Sequence, residues 1–310
     1  MLAGGRYAQA MSSENPADQV QKYASATAEI LAVVKESPEA RAAGGEVAKA
    51  LHTVAKFANN LLLPLAAANW GVEKFRDYIN TKFQPELARH VSAIPEEHLI
   101  APRAVVAGPI MDALVYAHED QELRELYLAL LARAMDGRSP EVAHPAFVEV
   151  LKQIDTVEVG FLRAAIAGDD PSWPIVELIR EQTPTSHGVV ETDLMDWCAD
   201  GAPKVTPQAG AYLRNWSRLG LIEIDYLSAL AKPGAYSWIV HRPEYLGAPG
   251  TGKLSVSRGL VRRTAWGKAF VDAVGIEPGT QSGPIAEIGD WTNMNDGPEI
   301  SDVNWTLDFG

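Results

Sequence analysis

The apolar pattern between residues 123 and 134 constrains the fold more than any other part of the chain. Apolar side chains recur there at helical intervals, namely Leu123, Leu126, Tyr127, Leu130, Leu131 and Ala134. This spacing places them on one face of an amphipathic helix, and Gly137 lies where a C-terminal cap belongs. Similar spacing recurs at 47–62 and at 147–154, so the sequence predicts a helical domain over residues 18–170.

The pattern changes after about residue 186. The following segments are predicted as two helices, three strands and a final helix, at residues 189–199, 207–219, 222–226, 236–242, 254–261 and 266–274. Between 222 and 226, apolar and acidic residues alternate with the period of a half-buried strand. Two helices, strands with a glycine-rich connection and a last helix follow the order of a winged-helix unit.

We therefore predict a mainly α protein in five parts. These are a flexible N-terminus at 1–17, a helical domain at 18–170, a linker at 171–185, a winged-helix-like α+β domain at 186–276 and an acidic, mobile tail at 277–310.

Charge is distributed unevenly along the chain. The net charge is −13, yet residues 201–276 carry 10 Lys and Arg against 4 Asp and Glu, a net charge of +6. The tail at 277–310 has 7 acidic residues and no basic ones. A basic segment therefore lies between two acidic regions, and such a segment is a candidate surface for an acidic partner.

Seven basic residues form the candidate binding surface: Arg214, Arg218, Lys253, Arg258, Arg262, Arg263 and Lys268. The first two lie one turn apart on a predicted helix, and the others lie in or after the predicted wing. In a winged helix, the second helix enters the major groove and the wing contacts phosphate. Contact with nucleic acid through 201–276 is one interpretation; a protein-docking surface, which we favour, and plain solvation are the others.

The acidic tail offers a partner within the chain. Its seven carboxylates flank Trp291 and Trp305. Because its charge is opposite to that of residues 201–276, our hypothesis is that the tail folds back and masks the basic domain.

No residue pattern predicts a side-chain catalytic site, a cofactor or a metal. Cys198 is the one cysteine, which excludes a disulfide framework. The loop Gly247–Lys253 matches the spacing G-x-x-x-x-G-K of a phosphate-binding loop. Leu254 stands where that motif needs Ser or Thr, and a strand follows instead of a helix. A flexible hairpin loop is the favoured interpretation, and nucleotide binding is the alternative.

The sequence gives no sign of a membrane span. Its longest uncharged run, 57–72, contains Asn and Pro and is shorter than the roughly 20 apolar residues that a span requires. We expect a cytoplasmic protein without membrane contact.

Several motifs in the same order resemble the abortive-infection alpha (Abi-alpha) family. They include the runs at 62–65, 94–97, 107–110, 122–126, 130–136, 144–150, 215–223 and 263–270. The resemblance covers roughly residues 60–275. It implies a bacterial protein of phage defence, in which infected cells are sacrificed, and it supplies no catalytic residues.

The leading hypothesis is a non-enzymatic defence component that binds a phage or host protein through the basic domain and the helical domain. A DNA-binding regulator is the first alternative. A nucleotide-binding hydrolase that uses the Gly247–Lys253 loop is the second. The oligomeric state does not follow from the sequence.

Overall fold

The computed structural model describes residues 72–167, 172–183, 185–199, 202–276 and 287–288. The chain divides into two compact units, Met1–Val148 and Glu149–Gly310. The predictions for the N-terminus at 1–17, the first part of the helical domain and most of the tail, with Trp291 and Trp305, lie outside the described residues.

The first unit is helical over its described part. Its helices are α1 (Val72–Tyr78), α2 (Gln84–Val91), α3 (Ala104–Ala117) and α4 (Gln121–Ala134), and α5 (Ala146–Leu151) spans the end of the unit. A π-helical turn (Ile79–Phe83) joins α1 to α2, and short 3₁₀ turns lie at Glu96–His98 and Pro140–Val142. Helix α4 packs on α2 and α3, and α1 packs on α3.

Helix α4 confirms the prediction from apolar spacing. The side chains of Leu126, Tyr127, Leu130 and Leu131 are buried in the core, where each contributes about 1.5–3 kcal/mol through the hydrophobic effect. The Asp120 carboxylate caps the helix by accepting from the Leu123 N–H at 3.1 Å.

The end of α4 differs from its prediction. The C-cap is Met135, not Gly137. Gly137 serves a different purpose, because its N–H donates to the His98 carbonyl at 2.7 Å. A Cβ at Gly137 would lie 2.8 Å from that oxygen, so only glycine fits this close approach of two backbone segments.

The second unit combines helices with two antiparallel sheets. Its helices are α6 (Thr156–Ile166), α7 (Ala209–Arg218), α8 (Pro243–Leu246) and α9 (Ala265–Val274), and a 3₁₀ helix covers Ser237–His241. The strands are β1 (Ser172–Thr183), β2 (Ser186–Leu194), β3 (Trp197–Ala199), β4 (Ala202–Pro203), β5 (Ile222–Asp225), β6 (Leu254–Arg263) and β7 (Glu287–Ile288). The strand orders are β2-β1-β6-β5 and β4-β3-β7.

Two sequence predictions are wrong in this unit. Residues 189–199 form β2 and β3, not a helix, because Val189 and its β-branched neighbours pair with β1. Residues 236–242 form a 3₁₀ helix, not a strand; their aromatic side chains pack into a compact core cluster. Strand β1 lies within the range 171–185 that the sequence analysis assigned to a linker, and its Ile175, Val176 and Leu178 are fully buried.

The other predicted elements of this unit are confirmed. Helices α7 and α9 and strands β5 and β6 lie within two residues of their predicted ranges. A helical first unit is thus followed by a strand-containing unit. Strands take the place of the helix expected before α7, so the winged-helix prediction is not confirmed. The predicted domain boundaries remain predictions. Among the described residues, no helix has the length and apolar character to cross a bilayer.

Polar contacts fix helix α7 to α6 and to the turn that precedes α6. The Trp216 indole N–H donates to the Glu158 carboxylate of α6 at 2.9 Å, and the Asn215 amide donates to the Gln153 carbonyl at 2.8 Å. Burial raises the pKa of Glu158 despite the hydrogen bonds that its carboxylate accepts from Trp216 and, at 3.4 Å, from Asn215. The Glu158 side chain is thus held in the core by neutral hydrogen bonds from α7.

Asp136 holds the turn that follows α4. Its carboxylate is buried and accepts from the Arg138 guanidinium at 2.6 and 2.8 Å and from the Arg138 backbone N–H at 3.0 Å. The hydrogen bonds from Arg138 lower the pKa of Asp136 to about 2. Because the pKa is lower in the folded state, ionised Asp136 stabilises the fold above pH 4, and this contribution is lost as the pH falls toward 2.

We expect Asp136→Asn to lower the free energy of unfolding by about 1–2 kcal/mol at pH 7, since solvent screens the half-exposed Arg138. The difference from the unchanged protein should shrink between about pH 4 and pH 2. Urea unfolding at several pH values measures both effects. The exposed Asp77→Asn is the control, and an Asp136→Asn effect that stays constant with pH would contradict the assignment.

Candidate binding cleft

Asp193 lies at the end of β2 in an unusual backbone conformation. Its φ is 56°, in the left-handed region, which few residues other than glycine adopt, although aspartate tolerates it better than most. Its side chain is almost fully buried. Such a conformation costs free energy and persists only where the surrounding contacts enforce it.

The contacts that enforce it come from α7 and from Tyr226, the residue after β5. The Arg214 guanidinium donates to both Asp193 carboxylate oxygens, at 2.6 and 2.7 Å. The Tyr226 hydroxyl donates to the same carboxylate at 3.1 Å and accepts from the Asp193 N–H at 3.2 Å. Burial and the Asp193 charge raise the pKa of Tyr226. The buried carboxylate is thus paired, and α7 is fixed to the end of β2.

Arg242 is the corresponding buried cation and is 1% exposed. Its guanidinium donates to the Trp197 carbonyl at 2.8 Å and to the Lys204 carbonyl at 3.2 Å. It also pairs with the Glu244 carboxylate at 2.7 and 3.1 Å. Arg242 therefore holds together the backbone segments at Trp197 and Lys204, which are also joined by the hydrogen bond from the Lys204 N–H to the Trp197 carbonyl at 2.7 Å.

These two ion pairs border a cleft of about 600 Å³. Its volume lies within the range of small-molecule and side-chain pockets. The apolar part of the lining comes from Leu194, Met195, Trp197, Val205, Pro207 and Ala209. Val205 is 49% exposed, and among the described residues the buried Trp197 indole N–H has no hydrogen-bond acceptor. The cleft thus combines an apolar surface with two ion pairs, Asp193–Arg214 and Arg242–Glu244.

Asp196 and Cys198 flank Trp197. Burial raises the pKa of Asp196, whereas the positive charge of Arg242 opposes this shift. The Cys198 thiol lies 3.6 Å from the Asp196 carboxylate. No group of three or more His, Cys, Asp and Glu in the described part of the chain could hold a metal ion. The arrangement can accept apolar side chains and backbone groups.

Three of the predicted basic residues have carboxylate partners close by. Arg214 pairs with Asp193, Arg262 lies 3.4 Å from Glu223 and 3.7 Å from Asp225, and Lys268 lies 2.9 Å from Asp272. Much of the positive charge of residues 201–276 is therefore neutralised within the unit itself.

Three others are held by neutral groups. Arg218 donates to Gln153 at 2.9 Å and to Asn215 at 2.7 Å. Arg263 donates to the Ile166 carbonyl at 2.7 Å. The Arg258 guanidinium lies over the Tyr236 ring, 5.5 Å from its centre, and such cation–π contacts stabilise a cation in place. Of the seven predicted residues, Arg214 is the one that lines the cleft.

Lys253 ends a loop that is organised around Arg180. The Arg180 guanidinium donates to the Ala248 carbonyl at 3.0 Å and to the Gly252 carbonyl. Gly250 has a φ of 98°, and a Cβ there would lie 2.8 Å from the Arg180 side chain. A Cβ at Gly252 would overlap the Glu181 carbonyl. These glycines make room for Arg180 and β1, and the loop turns carbonyl oxygens toward a cation, the reverse of a phosphate-binding loop.

The sequence analysis missed the residues that form the cleft. Asp193, Trp197, Val205 and Arg242 belong to no motif, and they are brought together by strand pairing and by hydrogen bonds across 45 residues of sequence or fewer. One sequence feature did indicate the cleft. Arg242 follows a segment with buried aromatic residues, and a charge in such a segment requires a partner.

We expect Arg214→Gln to lower the free energy of unfolding by about 1–2 kcal/mol, because the Asp193 carboxylate would stay buried without its charged partner, while solvent screens the half-exposed Arg214. Arg218→Gln, the same change one turn later on α7, should cost less than about 0.5 kcal/mol. Urea unfolding followed by circular dichroism compares the two. Equal losses would show that the Asp193–Arg214 pair is not the contact that fixes α7.

A separate prediction concerns the loop at Gly247–Lys253. Arg180→Ala should lower the free energy of unfolding by about 1–3 kcal/mol, since the loop carbonyls lose a charged donor. Lys253→Ala should change stability by less than about 0.5 kcal/mol and leave the calorimetric response to Mg²⁺–ATP unchanged. Specific ATP binding that Lys253→Ala removes would restore the nucleotide interpretation.

Comparison with known proteins places the chain in a family. The model of the family described as abortive infection alpha matches residues 75–274, more than half of the chain. No curated protein and no solved structure matches the chain. The family match confirms the resemblance carried by the sequence motifs and includes every residue of the cleft. The chain belongs to the abortive infection alpha family.

Proposed function

We propose that this protein is a cytoplasmic phage-defence component that acts in abortive infection by binding a protein partner in the cleft of its second unit. Family membership supports the setting in phage defence. The observation that carries the binding role is the cleft of about 600 Å³, with its apolar lining and its paired charges. The proposal requires no covalent chemistry.

The lining indicates what kind of group the cleft accepts. A charged ligand would compete with Arg214 for Asp193, or with Arg242 for Glu244, and breaking a buried ion pair is costly. An apolar side chain instead gains from leaving water and disturbs neither pair. Apolar and aromatic anchors that fill such pockets dominate the binding energy of protein interfaces. A protein partner therefore suits the cleft better than a nucleotide does.

The contacts of the basic residues favour a protein over DNA. In a winged-helix mode, α7 would enter the major groove, yet its Arg214 is bound to Asp193 and its Arg218 to Gln153 and Asn215. A contact with phosphate needs a cation that is not already bound within the protein, because the cation must take the place of the counterions of the DNA. A DNA-binding regulator and a nucleotide hydrolase thus gain no support from these contacts.

We expect Val205→Glu to weaken partner binding by about tenfold or more, because a carboxylate at the cleft rim would be partly desolvated and would face Glu191, Asp193 and Glu244. Cells that carry this variant should lose protection from phage. Plaque assays on protected bacteria measure the loss, and thermal unfolding checks that the variant folds.

The matched control is Val157→Glu on α6. Val157 is 58% exposed, close to the 49% of Val205, and does not line the cleft. A glutamate in the first turn of a helix is compatible with the helix dipole, so this variant should protect as well as the unchanged protein. Full protection by a folded Val205→Glu variant would overturn the role of the cleft.

A further inference from the structure

The lining of the cleft carries more negative than positive charge. Its charged residues are three carboxylates and two guanidiniums, namely Glu191, Asp193, Glu244, Arg214 and Arg242. Three negative charges against two positive ones give the lining a net charge of −1, although residues 201–276 carry +6. A cleft with an excess of one sign attracts ligands of the opposite sign. The cleft therefore favours a cationic ligand.

Glu191 supplies the charge that is not balanced. The other two carboxylates belong to the ion pairs of the cleft, whereas the exposed Glu191 has no ion pair with any residue that the structure describes. A further carboxylate lies close by, because the hydroxyl of the adjacent Thr192 donates to Glu177 at 3.0 Å. Lys204 lies over the Phe161 ring, 5.0 Å from its centre, and does not line the cleft. A cation that pairs with Glu191 thus leaves both ion pairs intact.

Glu191 lies close to the apolar part of the lining. It precedes Leu194 by three residues on β2, and both residues line the cleft. At about 3.3 Å per residue of strand, the two positions are roughly 10 Å apart. In an extended peptide, residues i and i+2 project to the same face about 7 Å apart, and the long side chain of an arginine or lysine covers the remaining distance. One short segment can therefore reach both the apolar lining and Glu191.

Trp197 independently indicates a peptide as the ligand. It lines the cleft and is 2% exposed, and its buried indole N–H has no acceptor among the described residues. Buried donors are rarely left unpaired, and a backbone carbonyl of a bound segment is a suitable acceptor. A peptide offers this carbonyl, an apolar anchor and a cation together, whereas the negative charge of the lining repels a nucleic acid.

We infer that the cleft selects a partner segment in which an apolar or aromatic anchor lies two residues from an arginine or lysine. The anchor fills the apolar lining, and the cation pairs with Glu191 at the rim. This inference rests on the proposed function and adds the chemical class of the partner segment to it. Because exposed ion pairs stabilise weakly, the anchor supplies most of the affinity and the cation supplies selectivity.

Three capped tripeptides test this selectivity on the full chain: acetyl-Phe-Gly-Arg-amide, acetyl-Phe-Gly-Gln-amide and acetyl-Phe-Gly-Glu-amide. NMR titration at low salt measures their dissociation constants. We expect the arginine peptide to bind about threefold more tightly than the glutamine peptide, and the glutamate peptide to bind most weakly. Sodium chloride at about 1 M should remove most of these differences, since it screens the charges at the rim.

The variant Glu191→Gln should make the arginine and glutamine peptides bind equally. Its matched control is Glu141→Gln, the same change at an exposed glutamate of the first unit. This control should retain the preference for arginine, which excludes attraction by the net charge of −13 alone. Equal binding of the three peptides to the unchanged chain, or a preference that Glu191→Gln leaves in place, would overturn the inference.

Absence of binding by all three peptides at millimolar concentration would overturn it as well. The proposed function is tested separately by the plaque assays on Val205→Glu, so the two can fail independently. Equal binding of the peptides together with lost protection in Val205→Glu, for example, would remove the basic residue from the partner and keep the role of the cleft.

Discussion

The contact between Asp193 and Arg214 sustains the architecture of the second unit. A carboxylate buried at the end of β2 would be expensive without a partner, and the bidentate guanidinium of α7 at 2.6 and 2.7 Å supplies one. The same contact keeps Asp193 in its left-handed conformation, which turns the chain out of β2 toward β3. One wall of the cleft and the direction of β3 thus depend on this ion pair, which fixes α7 together with the hydrogen bond from Trp216 to Glu158.

Charge counted along the sequence differs from charge available at the surface. Residues 201–276 have a net charge of +6, but Arg262 lies opposite Glu223 in the register of β5 and β6, and Lys268 lies one turn from Asp272 on α9. These are ordinary local pairs of sheets and helices. A basic segment therefore indicates a binding surface only after its local partners are known.

The elements predicted correctly are those whose apolar period can be read within one segment of the chain. Helix α4 was found because its apolar residues keep one period over three turns, and α7, α9, β5 and β6 were found for similar reasons. The segment 189–199 was misassigned because its strand state depends on pairing with β1, and sheet propensity depends strongly on such context. Membership of the family was accessible from motifs, whereas the cleft was not.

The loop at Gly247–Lys253 has the glycine spacing of a phosphate-binding motif, but its contacts with Arg180 account for these glycines. Its glycines are required by Arg180, which lies 68 residues before Ala248, and sequence spacing contains no trace of that contact.

The paired charges around the cleft also determine what it can bind. Since Asp193 is paired with Arg214 and Arg242 with Glu244, binding energy must come from apolar burial and from the Trp197 indole N–H. Under the proposed function, an apolar or aromatic side chain of the partner supplies the burial. A backbone carbonyl of the same partner accepts from the indole N–H, which lacks an acceptor among the described residues.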